Sequence, residues 1–452
     1  MIHKYSLNNY HILLDVNSGA VHVIDALADR LLDLFAPPLS QTCPRHVLDS
    51  LVPEGYPETQ IMEAYEELYA LYREGLLFSE DSYQDYAEQL KPAPIKSMCL
   101  NVAHDCNLRC RYCFAAQGDF GHGRKLMPFS VGKSAIDYMI AHSGPRRNLE
   151  LDFFGGEPLM NWEVVRQLVT YARGLEQQAG KNFRFTLTTN GLLLDDERIA
   201  FINKEMSNVV LSIDGRKAVN DHLRPRADGT GCYDRIVPCY QKLAADRGGK
   251  NYYVRGTFTG YNLDFAQDVR HLLELGFRQI SIEPVIGDIA EPYALTEADL
   301  PRIFEEYERL ALDIIYRKSR GEEFNFFHFM LDLDQGPCAI KRLRGCSCGN
   351  EYIAVTPEGD IYPCHQFVGM EEWKLGTVLA GDLDAEKKLL FSKTHIYNKP
   401  DCRNCWAKFY CSGGCNANNY QYNGDIKKPH TLSCELERKR LECAIMIQAA
   451  LC

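Results

Sequence analysis

The chain has 452 residues, 46% of them hydrophobic, with a formal net charge of −11 and a pI near 5.7. That length suits two or three domains with sizeable cores, and the acidic balance argues against nonspecific nucleic-acid binding, which needs clustered Lys and Arg. The start, MIHKYSLNNYHILLDV, has no basic segment followed by an apolar run, and no stretch approaches the roughly 18 apolar residues of a membrane span, so neither a signal peptide nor a span is expected and the chain reads as cytoplasmic. In a reducing compartment its eighteen cysteines point to metal or clusters rather than to disulfides.

Three regions follow in chain order. Residues 1–90 open with short strand-like runs, Ile2–Leu7 and Tyr10–Asp15 around Asn8-Asn9, then Ala20–Ile24 after the turn Asn17-Ser18-Gly19. Helical patterns continue at Ala26–Phe35, Arg45–Leu51 and Glu58–Glu74, the last with Ile61, Ala64, Tyr65, Leu68, Leu71 and Tyr72 on one face. A small sheet followed by helices resembles a winged helix, and Lys91-Pro92-Ala93-Pro94 reads as the linker that ends it.

Residues 95–320 alternate strand and helix. Strands are expected at Met98–Ala103, Leu149–Phe154, Phe183–Thr188, Asn208–Ile213, Tyr252–Phe258 and Gln279–Val285, with helices such as Trp162–Gln178 and Phe265–Leu275 between them. This pattern implies an α/β fold, a parallel sheet closed into a partial (β/α)6 TIM-like barrel, with its chemistry at the C-terminal ends of the strands. Residues 335–452 hold eleven of the eighteen cysteines and little regular helix before Glu435–Ala450.

Cys106-Asn-Leu-Arg-Cys110-Arg-Tyr-Cys113 comes directly after the first barrel strand. Three thiolates so close on one loop can hold three irons of a cubane cluster, leaving the fourth iron open to a chelating substrate. The competing reading is a zinc site or a redox pair, although structural zinc normally takes four closed ligands. Gly155-Gly156-Glu157-Pro158 follows the second strand: two glycines let backbone come close, and a carboxylate can receive an ammonium, or the segment is a plain tight turn. Thr189-Asn190-Gly191 ends the third strand and Ser212-Ile213-Asp214-Gly215 the fourth, where Ser212 and Asp214 could equally serve as turn or cap residues.

The Cys-x3-Cys-x2-Cys spacing with Tyr112 before the last cysteine resembles the radical S-adenosylmethionine (SAM) superfamily. The resemblance implies that Cys106, Cys110 and Cys113 hold a catalytic 4Fe–4S cluster and that S-adenosylmethionine is bound nearby. It implies further that Gly155, Gly156 and Glu157 receive the methionine amino group, and that Tyr112, Thr189 and Asn190 belong to the same site. Ser212 would hydrogen-bond ribose, Arg224 would pair with the carboxylate and Val285 would pack on adenine.

Cys402-x2-Cys405-x5-Cys411-x3-Cys415, with Cys434 downstream and Cys346, Gly359 and Cys364 upstream, resembles the SPASM extension. That likeness implies two auxiliary 4Fe–4S clusters, three in all. Cys402, Cys405, Cys411 and Cys434 would close one; Cys346, Cys364 and Cys415 would hold the other. Zinc ribbons are the competing reading. Cys338 sits near the spacing of a further ligand in sulfatase-maturing relatives and Cys348 competes with it; the expectation is an open iron in the resting enzyme. Cys43, Cys99, Cys232, Cys239, Cys443 and Cys452 have no cluster spacing and read as small core residues.

Ile2-His3-Lys4-Tyr5, the segment Leu14–Val21 and the segment Tyr362–Gly369 look like the maturases of SCIFF peptides. This implies a thioether-forming enzyme acting on a ribosomally made, Cys-rich precursor peptide, whose leader adds a strand to the sheet of residues 1–90. A low-potential donor, flavodoxin or ferredoxin, would supply electrons, and neither nucleic acid nor membrane is an expected partner. Two other readings remain: an anaerobic sulfatase-maturing, formylglycine-generating enzyme, which gives residues 1–90 no task, and a zinc-bound noncatalytic peptide-binding protein.

Overall fold

The computed structural model describes residues 1–333 and 339–451. Cys338 and Cys452 lie outside the described residues. The chain opens with a three-stranded antiparallel sheet, β1 (Ile2–Leu7), β2 (Tyr10–Asp15) and β3 (Val21–Ile24), in the order β1-β2-β3. Asn8 and Asn9 make the first turn because both take positive φ, 48° and 68°, which asparagine tolerates better than most residues and which suits a two-residue hairpin. The second turn closes on Asp15, whose Oδ1 accepts from Ser18 N at 3.0 Å and Ser18 Oγ at 2.9 Å.

Alternation along β2 sends its side chains two ways. Leu13 joins Leu27, Leu31, Leu48, Leu51 and Ile61 of the helices Ala26–Leu31, Arg45–Leu51 and Glu58–Arg73. Ile12 and Leu14 join the main core instead. The small sheet is therefore covered on both faces and cannot part from the barrel without exposing Ile12 and Leu14. The first helix ends four residues earlier than its apolar pattern does, because Leu32–Leu34 turn more tightly ahead of Pro37-Pro38.

The second sheet carries the candidate site. β4 (Ser97–His104) is followed by β5 (Lys125–Leu126), β6 (Asn148–Gly155), β7 (Asn182–Thr189), β8 (Met206–Ser212), β9 (Asn251–Phe258), β10 (Gln279–Pro284) and β11 (Asn325–Phe326). The six expected strands run parallel in the order β10-β9-β8-β7-β6-β4. Leu151, Phe153, Phe185 and Leu187 alternate to one face and are fully buried in the main core; Asp152, Phe154 and Thr186 between them face the other way and are partly exposed. That alternation, helices outside and an accessible lumen inside, defines the barrel.

The sheet does not end at β4. β12 (Tyr352–Val355) pairs parallel to β4, and β13 (Asp360–Tyr362) and β14 (Gly376–Thr377) continue antiparallel. The cysteine-rich segment is thus bonded into the barrel sheet rather than standing apart from it. Strands of two to four residues are too short to show a period in sequence.

The helix Thr431–Leu451 packs along Leu300–Ser319 and reaches the first sheet, where Glu442 O accepts from Tyr5 OH at 2.9 Å. His3 stacks on Trp406 with centroids 3.8 Å apart. Asp81 anchors the same junction: Lys408 Nζ lies 2.7 Å from its Oδ2 and Tyr397 OH donates to Oδ1 at 2.5 Å. Among the described residues no helix is long and apolar enough to cross a membrane.

Burial alone would raise the Asp81 carboxyl, but the bonds from Lys408, Tyr397 and Tyr83 N hold it below the usual carboxylate range. Its contribution is therefore present above the unfolded carboxylate pKa and is lost as pH falls through the lower folded one. Lys408 is 4% exposed, so Asp81→Ala leaves a buried cation unpaired and should cost about 3 kcal/mol in urea unfolding at pH 7. The difference from the parent should shrink in acid.

Candidate active site

The loop after β4 is clamped by backbone, which frees its sulfurs. Arg109 N and Arg111 N donate to Pro225 O at 2.8 Å and Leu223 O at 2.9 Å, in the segment following β8. On the other side Gly156 N bonds Ala103 O at 2.7 Å and Glu157 N bonds Asp105 O at 2.8 Å. A cavity of about 150 Å³ opens between them, lined by Cys106, Cys110, Cys113, Gly155, Gly156 and Glu157 and closed by Thr189, Asn190, Ser212 and Arg224. Tyr112 also reaches it. Val285, at the end of β10, is buried, bonds Phe258 O at 2.9 Å and does not line the cavity.

Two glycines make the approach possible. A Cβ on Gly156 would drive into the Asp105 carbonyl, and one on Gly118, whose φ is +104°, would stand 2.5 Å from Cys106 Cβ. Glu157 acts as a lock between strand ends. Its buried carboxylate accepts from Leu159 N at 3.0 Å, Thr189 Oγ1 at 2.8 Å and Asn190 N at 2.7 Å. Burial pushes its pKa up to about 7 against those bonds.

The sulfurs sit among donors. Leu108 N points at Cys106 Sγ from 3.4 Å, and Asn190 Nδ2, shared with Asn107 Oδ1 at 2.8 Å, from 3.6 Å. Burial pushes the thiols up, Cys106 to about 11 and Cys110 to about 12, so a bound cation has to drive their deprotonation. Tyr112 OH donates to both oxygens of Asp214, each at 2.8 Å, and accepts from Arg224 Nη1 at 3.0 Å. Arg224 Nε is buried with no partner, an unspent donor beside the cavity.

The later cysteines gather in two sets. Cys402, Cys405, Cys411 and Cys434 come together from the short helices Pro400–Arg403 and Lys408–Cys411, the connection between them and the long C-terminal helix, near enough for their charges to interact. Cys346, Cys364 and Cys415 form the second set in the same sense. Among the described residues no three Cys, His, Asp or Glu side chains converge on one single-ion position; a cluster gives each sulfur its own iron and needs no such convergence.

Lys399 tests the fit. Its ammonium is 1% exposed and donates to Gly413 O and Asn416 Oδ1, both at 2.7 Å. No carboxylate among the described residues pairs with it. A buried ammonium bonded only to neutral acceptors is costly, and Lys399 lies between the two sets, in the field of Cys402, Cys411, Cys415 and Cys348. Anionic clusters there would supply the missing counter-charge.

The first cavity and the second set share a wall. Cys348, Cys364, Tyr362, Phe367 and Cys99 pack in one side-chain cluster that Cys113, Phe154 and Cys415 border. His365, next to Cys364, has its ring 5.0 Å from Phe154 and 5.5 Å from Phe114, which both line the first cavity. In the lumen Arg255 on β9 pairs with Glu283 on β10 at 2.5 Å, and Arg440 Nη1 meets His328 Nδ1 at 3.0 Å. Gly118 and Lys399 carry no recognisable motif, and Asp214 reads in sequence only as a turn or cap residue; their roles follow from what folds against them.

A parallel partial barrel with a three-cysteine loop at the end of its first strand, facing a glycine pair at the end of the second, defines the class. Residues 100–276 match the Radical SAM superfamily model, so the barrel is a radical SAM domain, for which a 4Fe–4S cluster and S-adenosylmethionine are implied. The serine-type anaerobic sulfatase-maturating enzyme of Klebsiella aerogenes is 24% identical over 357 residues, 73% of this chain and 82% of that protein. Native anSMEcpe with bound AdoMet and Kp18Cys peptide shares the fold at a TM-score of 0.65 and 18% identity, over 79% of this chain and 99% of its own. Streptococcus suis SuiB bound to precursor peptide SuiA does so at 0.54 and 17%, over 92% and 94%.

Gly118→Ala should displace Cys106. The expected result is loss of about four irons per chain after anaerobic reconstitution, with the remaining iron retained.

Proposed function

We propose that this enzyme is a peptide maturase that forms thioether crosslinks between a cysteine sulfur and a carbon of another residue in a Cys-rich precursor peptide. The observation that carries the reading is the shared wall: the cavity of Cys106, Cys110 and Cys113 meets the set of Cys346, Cys364 and Cys415 through Phe114, Phe154 and His365. A sulfur held at the second set and a carbon presented to the first would then be brought to one shared wall.

When loaded, the first cluster and S-adenosylmethionine supply a 5′-deoxyadenosyl radical by one-electron reductive cleavage. Cys106, Cys110 and Cys113 would hold that cluster. Gly155 and Gly156 admit the methionine end through bare backbone, while Glu157 keeps their strand end tied to Thr189 and Asn190. Ser212 would face ribose and Arg224, with its free Nε, the carboxylate. Cys402, Cys405, Cys411 and Cys434 would hold a second cluster and Cys346, Cys364 and Cys415 a third, placed to receive the substrate thiol and the surplus electron. Positioning of this kind replaces orientation entropy, and the surrounding core excludes water.

Residues 1–90 are read as the domain that recognises the leader, residues 95–320 as the radical SAM barrel and residues 335–452 as the SPASM domain. Among the described residues β3 pairs on one side only, with β2, and Val23 on it is 56% exposed; an extended leader can add there as a further strand. The likeness to SuiB, which spans 92% of this chain against 79% for anSMEcpe, favours a shared N-terminal module over the sulfatase-maturing reading. That second reading rests on the serine-type Klebsiella aerogenes relative; formylglycine formation from serine, like a thioether, removes two hydrogens, so titration of the peptide's free thiols, which only a thioether consumes, separates the two, while formylglycine formation from cysteine would show as loss of sulfur.

Replacing Cys106, Cys110 and Cys113 together by Ala should abolish 5′-deoxyadenosine production under reducing, anaerobic conditions; persisting cleavage would sink the assignment. Val23→Glu should weaken leader binding about tenfold by calorimetry, while uncoupled cleavage of S-adenosylmethionine stays at the parental rate.

A further inference from the structure

Cys348 stands apart from the other cysteines that lack cluster spacing. It is 3% exposed, in the turn Cys346-Ser347-Cys348, which Ser347 bends with φ 55° while its carbonyl accepts from Asn350 N at 3.1 Å and Glu351 N at 3.0 Å. Three ties bring its sulfur to the others of the second set. Gly349 N donates to Pro363 O at 2.9 Å, which lays Cys348 beside Cys364. Asn416 Nδ2 points at Cys348 Sγ from 3.5 Å, which lays it beside Cys415. The Cys348 sulfur also lies close enough to those of Cys346, Cys364 and Cys415 for their charges to interact.

Accepting an N–H does not by itself mark a ligand, since Cys232 accepts from Asn220 Nδ2 at 3.3 Å and Cys239 from Arg235 Nη1 at 3.3 Å. What distinguishes Cys348 is that its donor, Asn416, is itself oriented by the buried Lys399 through Oδ1. An amide donor held by a buried ammonium favours a sulfur that carries charge.

We propose that Cys348 is the fourth protein ligand of the cluster held by Cys346, Cys364 and Cys415, so that this cluster is closed at rest. The proposal rests on the assignment of that cluster above and revises the expectation of an open iron. Entry of a substrate cysteine would then require Cys348 to give up its place, its sulfur taking the proton that the substrate thiol loses, with no change of oxidation state.

The test uses full-length protein carrying Cys106→Ala, Cys110→Ala and Cys113→Ala, reconstituted anaerobically with iron and sulfide, reduced, and probed with 13C-cyanide by electron–nuclear double resonance. This parent should hold about eight irons and show no cyanide coupling. Adding Cys348→Ala should leave the iron content near the parental value and produce a 13C coupling at one iron, whereas adding Cys338→Ala should not. Cyanide coupling already in the parent, no coupling in the Cys348→Ala protein, or coupling in the Cys338→Ala protein alone would overturn the proposal. If Cys348→Ala fails to retain iron, Cys348→Ser decides: shifted g-values with cyanide excluded support a ligand at this position, and a parental spectrum refutes it. A parent without the second and third clusters, seen as iron content near zero, refutes the cluster assignment itself and this proposal with it.

Discussion

The close approach of bare backbone to a clamped cysteine loop is the constraint on which the site depends. Cys106 has no room for a neighbouring side chain at Gly118, and the Asp105 carbonyl none at Gly156. The space left over is the cavity. Holding it open requires that the ends of β6 and β7 keep their relative positions, which the buried Glu157 carboxylate secures by bonding Leu159, Thr189 and Asn190 at once. The penalty of burying that carboxylate is offset only while all three donors stay in place, so the lock and the cavity form together.

The second organising feature is charge without a partner. Thiols buried to this depth resist ionisation, and Lys399 and the Nε of Arg224 are donors with nothing anionic on them. The two donors are unfavourable in the protein alone and become favourable when anionic groups stand beside them, while the thiols ionise when a bound cation takes their sulfurs. The polypeptide is thus arranged around the charges of what it binds, and part of its stability belongs to the loaded form.

Packing also ties recognition to chemistry. Ile12 and Leu14 of the first sheet sit in the main core, Tyr5 bonds Glu442, and Asp81 holds Lys408 three residues before Cys411. The N-terminal module is therefore held directly to the helices that carry Cys411 and Cys434. A peptide that bound at β3, as proposed, would be presented from a surface tied by these contacts to the cysteine sets.

What was legible in the sequence was local. The Cys106 loop, the glycine pair and the six barrel strands announce themselves because alternation, turn residues and ligand spacing act within a few residues of each other. Tertiary structure decided the rest. β12, β13 and β14 are too short to carry a period, so their joining to β4, which brings Cys348 and Cys364 against the wall bordered by Cys113, could not be read from the pattern. Val285, which the resemblance implies packs on adenine, does not line the cavity. Gly118, Asp214 and Lys399 act through partners far along the chain. Residue types and their spacing determined which chemistry this protein carries; the distances between groups remote in sequence, which only packing sets, decided which sulfurs meet.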